Sequence, residues 1–248
     1  MNFLSAKTPD LPGTLHSLLA SYRYKVFVER LGWELETEFD HEQDQFDHAD
    51  TVHIVARNDD DQIVGCGRLL PCTGPYLLES VFPQLLNGAS APRSGTVWEL
   101  SRFAAMDVDT VSNPTTRRDY MAERVLLEAL RVCVKQRATT LIAVSTLAME
   151  RLMQRAGVDV HRMGPPHMIG GQWVLGFVIN VNEQSICALE AFERAARAPA
   201  SRSTVHAARR ATEDATFRQG ATAPVGTICT RGANNDSSRN CSLVAMPF

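Results

Sequence analysis

Residues 51 to 70 read TVHIVARNDDDQIVGCGRLL, and this stretch sets the middle of a sheet. Two runs rich in Val, Ile and Leu, 51–58 and 62–70, flank Asp59-Asp60-Asp61, and strand-forming residues on both sides of a short polar turn predict a hairpin. Further along, VWELSRFA (97–104) alternates as a strand, TTLIAVSTL (139–147) has the apolar run of a buried strand, and QWVLGFVINV (172–181) closes the sheet. Leu15, Leu18, Leu19, Tyr22 and Val26 recur at helical spacing and predict an amphipathic helix over 12–31 that stops before Gly32. A short helix is expected near 77–86, a longer one from Tyr120 to Arg137, and another from Met149 to Ala156, ended by Gly157. The order helix, hairpin, strand, helix, strand, helix, strand predicts an α/β fold, a three-layer α-β-α sandwich with a twisted mixed sheet.

The 248 residues, 44% hydrophobic and 21% charged, suit one globular domain with an appendage. Composition divides the chain near residue 190. Segment 191–248 holds eight Arg, no Lys and four acidic residues, so it carries +4 and leaves −7 of the total −3 on 1–190. It has nine Val, Ile, Leu, Met, Phe, Trp or Tyr against thirteen Ala and eleven Ser or Thr, too little apolar surface to offset the entropy of ordering. A folded domain over 1–190 and a mostly disordered tail over 191–248, helical at its start, are therefore expected. No run reaches the length of a membrane span, and MNFLSAKTPDLPG lacks the apolar core and cleavage site of a signal peptide, so a cytoplasmic address is expected. The six cysteines (66, 72, 133, 187, 229 and 241) form no CxxC pair or zinc spacing, which argues against a metal centre or a disulfide framework. A negative total also argues against a general nucleic-acid binder, which needs a basic face.

Between Glu34 and Asp50 stand eight carboxylates and no Lys or Arg, interrupted by Phe39 and Phe46, a pattern that predicts a loop lying over the domain. His41, His48 and His53 match no metal spacing and are read as surface or loop residues. Gln62-Ile63-Val64-Gly65-Cys66-Gly67 matches a Q-x-x-G-x-G phosphate cradle, but such a cradle needs N–H groups converging at a helix start. Here the string lies inside a strand. Gly65 and Gly67 are therefore read as sites of close packing, and no coenzyme A site is implied.

Taken together, YRYKVFVERLGWE (22–34), DQFD (44–47), GCGRLLP (65–71) and VWELSRFA resemble the acyl-homoserine-lactone synthases, the autoinducer synthases of bacterial quorum sensing, over about residues 15–185. The positions that carry the resemblance are Arg23, Phe27, Trp33, Asp44, Asp47, Arg68, Glu99 and Arg102. It implies an acetyltransferase-like fold and a reaction in which S-adenosylmethionine and an acyl chain on acyl carrier protein give N-acyl-homoserine lactone, methylthioadenosine and free carrier. S-adenosylmethionine is then a substrate, and no cofactor is expected. The tail inherits nothing from the resemblance.

The implied nucleophile is the α-amine of S-adenosylmethionine, of which about a tenth is neutral at pH 7. It must lose a proton to attack a thioester, and a carboxylate within hydrogen-bond reach can accept it. Glu99, on a central strand, is the candidate base, an ion pair with Arg102 being the alternative. Lactone closure needs placement more than acid catalysis, because the sulfonium is already a good leaving group. Arg23 is assigned to the substrate carboxylate, Asp44 and Asp47 to the ammonium and sulfonium charges, and Phe27 and Trp33 to the adenine or sulfonium, unless they pack a helix end. Arg68 and Arg102 are expected to brace Asp44, Asp47 and Glu99, since buried guanidinium groups need carboxylate partners.

Leu100, Phe103, Met121, Leu141, Ala143 and Phe177 are expected to line an apolar slot for the acyl chain; the resemblance places a hydroxyl near position 143 for 3-oxo chains, so Ala143 implies an unsubstituted chain of medium length, with the hydroxyls of nearby Ser145 and Thr146 leaving the 3-oxo alternative open. For docking acidic acyl carrier protein, Arg151 and Arg155 share a helix face, with Arg162 beyond and Arg124, Arg131 and Lys135 on the preceding helix. Two other functions fit parts of the pattern: a generic N-acetyltransferase explains the element order, and a non-catalytic S-adenosylmethionine sensor explains the binding residues.

Overall fold

The computed structural model describes residues 1–108, 120–197 and 244–245. In chain order the elements are β1 (Asn2–Lys7), α1 (Gly13–Arg23) continuing as a π-helix over Tyr24–Arg30, a small hairpin of β2 (Thr37–Glu38) and β3 (His41–Glu42), then β4 (Val52–Arg57) and β5 (Ile63–Pro71). There follow α2 (Leu77–Ser80), a 3-10 turn (Pro83–Leu86), β6 (Val97–Ala105), α3 (Met121–Lys135), β7 (Thr140–Thr146) and α4 (Leu147–Arg155). Short strands β8 (Val160–Arg162) and β9 (His167–Ile169), then β10 (Gln172–Asn180), α5 (Glu183–Arg197) and β11 (Val244–Ala245), complete the set.

The main sheet runs β1-β4-β5-β6-β7-β10-β8, and its one parallel contact among the described residues is β6 with β7. On one face α3, α4 and α5 bury Ile54, Leu69, Leu100, Phe103, Leu141 and Phe177, each side chain contributing about 1.5–3 kcal/mol. On the other, α1 and its π turn cover Val55, Cys66 and Ala104, and α2 with the 3-10 turn covers Leu70, Ile142, Val144 and Val174. This is the expected three-layer sandwich.

Several details depart from the sequence expectations. Asn2–Lys7 pairs with β4 along its whole length, an edge strand whose short polar-apolar pattern carried no signal. The helix expected over 12–31 widens at Tyr24, with Leu31 N–H donating to Val26 O at 3.1 Å, five residues back. The acidic stretch is not a plain loop, because β2 and β3 form a hairpin within it and Glu42 and Phe46 are buried. β10 does not close the sheet, since β8 and β9 pair along its far edge. His53 is neither surface nor loop: it lies buried on β4, and burial pushes its imidazole down to about 4. Gly65 does serve close packing, for a Cβ there would stand 3.0 Å from Val125 Cγ2 of α3.

Two irregularities in β6 shape the functional region. Cys66 pairs with Ala104 but Arg68 pairs with Ser101, so Arg102 and Phe103 together face Gly67 in a β-bulge. Arg102 takes φ +46°, a left-handed conformation costing a non-glycine residue about 1–2 kcal/mol. The bulge breaks the alternation expected through VWELSRFA. Strict alternation would send Arg102 to the apolar side with Leu100; instead Phe103 joins Leu100 beneath α3, and Arg102 reaches carboxylates on the opposite face. The second irregularity is a parting of strands. β6 pairs with β7 only over Val97–Leu100 and Thr140–Ala143, whereas β7 stays bonded to β10 up to Thr146. Beyond Leu100 and Ala143 a gap opens through the sheet.

α5 runs through residue 190, where composition places the domain boundary. Leu189 is buried, the Phe192 ring meets Tyr120 edge-on at 5.1 Å, and Arg131 Nη2 donates to Glu193 at 3.0 Å. Val244–Ala245, expected in a disordered tail, pairs with β6 instead, because that edge is left open where β7 departs; the rest of the tail expectation, with Cys229 and Cys241, lies outside the described residues. A chain ending at Glu190 is expected to be less stable than one ending at Arg197 by about 2 kcal/mol, or about 4–8 °C in Tm. Calorimetry of the two chains checks this, and equal melting temperatures would show that the last two turns of α5 add nothing.

Candidate active site

On the face carrying α1 and α2, three guanidinium groups and three carboxylates alternate in a closed, buried cycle. Glu42, from β3, accepts from Arg23 Nε at the end of α1 and from Arg102 Nε and Nη2 at 3.0 and 2.8 Å. Asp44 accepts from Arg102 Nη2 at 2.9 Å and from Arg68 Nη1. Asp47 closes the cycle, taking Arg68 Nη1 at 3.1 Å and Arg23 Nη1 at 2.9 Å. The loop is itself held in shape: Asp44 N–H donates to Asp47 Oδ2 at 3.0 Å and Phe46 N–H to Asp44 Oδ1 at 2.8 Å.

Burial alone would raise the Glu42 carboxyl, but the Arg23 and Arg102 charges outweigh it and hold it below its ordinary range. The same balance, with Arg23 and Arg68, holds Asp47 far below its own. Charges therefore cancel inside the cycle, yet donors remain. Arg23 Nη2, Arg68 Nη2 and Arg102 Nη1 are buried with no hydrogen-bond partner among the described residues. Each such unmet donor costs about 1–3 kcal/mol, so the cluster is primed to receive acceptor atoms.

Glu99 stands apart from the cycle. Its Oε2 accepts the Leu77 N–H and its Oε1 the Leu78 N–H, both at 2.7 Å, so the carboxylate caps the start of α2. Burial pushes this carboxyl up to about 7, against the pull of the two amides. The expected bracing of Glu99 by Arg68 and Arg102 is not what the structure shows. The bulge turns Arg102 to Glu42 and Asp44, and Arg68 Nε donates to Ser101 Oγ at 2.9 Å. The pairing of Glu99 with Arg102 is absent for the same reason. Both arginines do brace Asp44, and Arg68 braces Asp47 as well.

Arg23, Asp44 and Asp47, assigned by sequence to substrate charges, spend most of their hydrogen-bonding capacity inside the cycle, Arg23 on Glu42 and Asp47, Asp44 on Arg68 and Arg102. Phe27 is fully buried, stacked on Trp33 at 4.6 Å between centroids, with the Arg102 guanidinium 5.7 Å from its ring centre. It packs the helix end and offers no open face, whereas Trp33 stays at the rim with 9% exposure. Glu42, the hub between Arg23 and Arg102, went unread, since one carboxylate among eight carries no signal in the sequence that sets it apart. The Ser101 hydroxyl and the Leu77 and Leu78 amides were also missed, the amides because backbone groups leave no trace in composition.

Leu100, Phe103, Leu141, Ala143 and Phe177 fall in one buried cluster beneath α3, with Met121 packed against it, on the face opposite Glu99. On α4, Arg151 and Arg155 are exposed. Arg162 is committed, its Nε and Nη2 donating to the two oxygens of buried Glu150 at 2.6 and 2.7 Å. Arg131 is likewise taken by Glu193.

With this geometry in hand, comparison with known proteins is decisive. Residues 14–189 match the autoinducer synthase family. The acyl-homoserine-lactone synthase of Acinetobacter nosocomialis is 45% identical over 186 residues, covering 73% of this chain and 100% of that one. The chain belongs to the autoinducer synthase family. A synthase of Pseudomonas aeruginosa is 37% identical over 175 residues, 69% of this chain and 82% of its own. TofI, crystallised in a ternary complex with an inhibitor and MTA, superposes with a TM-score of 0.68 at 41% identity over 77% of this chain and 97% of that one. The AHL synthase LasI gives 0.69 at 30% identity over 77% and 94%. This autoinducer synthase is accordingly an acyltransferase, and its sandwich is the acetyltransferase-like fold of its relatives.

Linkage fixes how the site responds to acid. Glu42 and Asp47 titrate below their unfolded values of 4.5 and 3.8, so the stability they add is present above those values and lost as pH falls through them. Glu99 has the opposite sign: its contribution is full below 4.5 and lost as pH rises through about 7. A stability optimum at about pH 4.5–5 is expected, where the carboxylates of the cycle are at full effect and the Glu99 contribution has only begun to fall. Glu42→Gln, which leaves two guanidinium groups short of counter-charge, should cost about 3–5 kcal/mol at that optimum. Urea unfolding from pH 3 to 8 measures both, and a loss under about 1 kcal/mol would mean the cycle is not holding the fold.

Proposed function

We propose that this autoinducer synthase moves an acyl chain from acyl carrier protein to the α-amine of S-adenosylmethionine and then closes the lactone. The amine nitrogen attacks the thioester carbonyl, the carbon–sulfur bond breaks, and the proton taken from the amine by Glu99 passes to the departing thiolate. The substrate carboxylate next displaces sulfur from its own γ-carbon, releasing methylthioadenosine. The observation that carries this reading is Glu99 itself: a buried carboxyl poised at about 7 beside Glu42 and Asp47, whose carboxyls are held below their ordinary values. A base is most effective when its pKa lies near the working pH.

The spare nitrogens of Arg23, Arg68 and Arg102 suit the substrate carboxylate. Asp44, whose side chain keeps 16% exposure, is the carboxylate best placed to meet the sulfonium, and Trp33 rather than Phe27 supplies the aromatic contact. The acyl chain enters the apolar cluster under α3, so the thioester must cross the sheet to reach Glu99, and the gap beyond Leu100 and Ala143 is the passage. Ala143 favours an unsubstituted chain of medium length. Ser145, two residues along the same strand with a buried and unpartnered Oγ, favours the competing reading of a chain with oxygen at position 3. The carrier docks on Arg151 and Arg155, since the rest of the domain is negative. A cytoplasmic setting, where both substrates are made, fits this chemistry.

Mass spectrometry of purified enzyme with S-adenosylmethionine and a panel of acyl carrier proteins should show acyl-homoserine lactone and methylthioadenosine in equal amounts. Glu99→Gln should lower turnover at least about 100-fold, and the rise of wild-type kcat/KM through about pH 7 should shift in the variant toward the amine's own value of about 8. Near-normal turnover with an unchanged pH limb would leave Glu99 a cap for α2 and no base. Transfer of acetyl from acetyl-coenzyme A, or bound S-adenosylmethionine surviving intact beside acyl carrier, would point instead to a generic acetyltransferase or a sensor.

The docking assignment has its own test. Arg151→Glu with Arg155→Glu should raise KM for the acyl carrier about tenfold at low salt and leave KM for S-adenosylmethionine unchanged. Unchanged carrier kinetics would move the docking surface off α4.

A further inference from the structure

β6 has two edges, and β5 occupies one along its length. The other is shared. β7 takes it from Val97 to Leu100, and after the strands part, Val244–Ala245 takes it at Ala105 and Ala104 in antiparallel register. β11 therefore lies in the same gap through which the thioester must cross the sheet, on the edge left open by β7, a few residues beyond Leu100. Nothing in the family match requires it there, since that match ends at residue 189. The Acinetobacter nosocomialis relative is covered over 100% of its length by 73% of this chain.

An open strand edge presents unpaired N–H and C=O groups, and an extended chain bearing amides satisfies them by strand addition. Two such chains compete for this edge. One is the C-terminal strand. The other is the phosphopantetheine arm of the acyl donor, an extended chain with two amides, which leads its thioester through the gap. We propose that Val244–Ala245 is an internal competitor of the acyl donor, seated on the β6 edge that the donor arm must use, so that this enzyme's C-terminus throttles donor binding. The inference rests on the synthase reading above, in that the donor must pass between β6 and β7. The C-terminal strand needs no partner molecule. Its tether makes the contact intramolecular, so donor binding must displace it each time and the apparent donor affinity falls by the fraction of enzyme left open. Acyl carrier protein and acyl-coenzyme A carry the same arm, so both donors should feel the competition equally, unlike the docking of the carrier on α4.

Val244→Pro with Ala245→Pro in the full chain tests this, because proline donates no hydrogen bond to a strand ladder. KM for acyl carrier protein and for acyl-coenzyme A should both fall by about three- to tenfold, with KM for S-adenosylmethionine within about twofold of wild type. A synthetic peptide of residues 240–248 added to the variant should inhibit competitively against the donor and not against S-adenosylmethionine. Donor KM values that stay the same or rise would overturn the proposal. A fall confined to the acyl carrier would also overturn it, since that would place the effect on the carrier's surface. Hydrogen exchange gives a readout that needs no turnover: the Val244 and Ala245 amides should be protected in the free full chain and lose that protection when acyl-coenzyme A saturates it. Protection that survives donor binding, or is absent throughout, overturns the competition. Loss of protection in a protein that makes no lactone would uphold it and reject the synthase chemistry alone.

Discussion

The bridge from Glu42 to both Arg23 and Arg102 is the constraint on which the rest of the site depends. It ties the end of α1 to the bulge of β6, and through Asp44 and Asp47 the same charges reach Arg68 on β5. Three guanidinium and three carboxyl groups packed this closely are tolerable only because each carboxyl meets two guanidinium groups, so opposite charges offset one another locally. Removing any member leaves a buried charge exposed to the low dielectric of the interior. The cycle thus fixes three separate segments with respect to one another, and it does so beside the one carboxyl that remains free to titrate.

That separation of duties follows from a single residue of extra chain in β6. Without the bulge at Arg102, the guanidinium would point into the apolar layer under α3, and Glu99 would face the substrate side without its charged frame. With it, Glu99 is left to the two amides of α2, and desolvation decides its protonation. In the proposed reaction the same strand also divides the substrates between faces, the acyl chain in the apolar cluster beneath α3 and S-adenosylmethionine at the charged cluster beneath α1 and α2. The parting of β6 from β7 is what joins them. A sheet that stayed paired to its ends would keep the thioester and the amine apart.

Much of this was legible in the sequence where periodicity is strong. The hairpin over 51–70, the strand at 139–147 and the helix beginning near Tyr120 all carry the period of the structure they form, and VWELSRFA marked the strand that carries Glu99 and Arg102. Legibility failed where one residue changes the register. A bulge at Arg102 and a π turn after Arg23 shift side chains between faces without altering composition, and the short edge strands β1, β8 and β9 offer too few residues for a period to show. At the site, residue types pointed to the right neighbourhood but not to the pairings. Arg68 and Arg102 were expected on Asp44, Asp47 and Glu99, and both meet Asp44 while neither meets Glu99; of the two readings of Phe27, ligand face or helix-end packing, the structure has the packing; Glu42 was hidden among its acidic neighbours.

Everything in the proposed chemistry turns on Glu99 being poised near neutrality while Glu42 and Asp47 beside it are held below their ordinary values. Carbon-13 NMR of the side-chain carboxyls, followed from pH 3 to 9 in wild type and in Glu99→Gln, reads this directly. One glutamate signal should titrate at about 7 and vanish in the variant, while the Glu42 and Asp47 signals stay flat down to the lowest pH at which the fold persists. A Glu99 signal that titrates near 4.5, the ordinary glutamate value, would contradict a poised base and leave the carboxylate only its place at the head of α2.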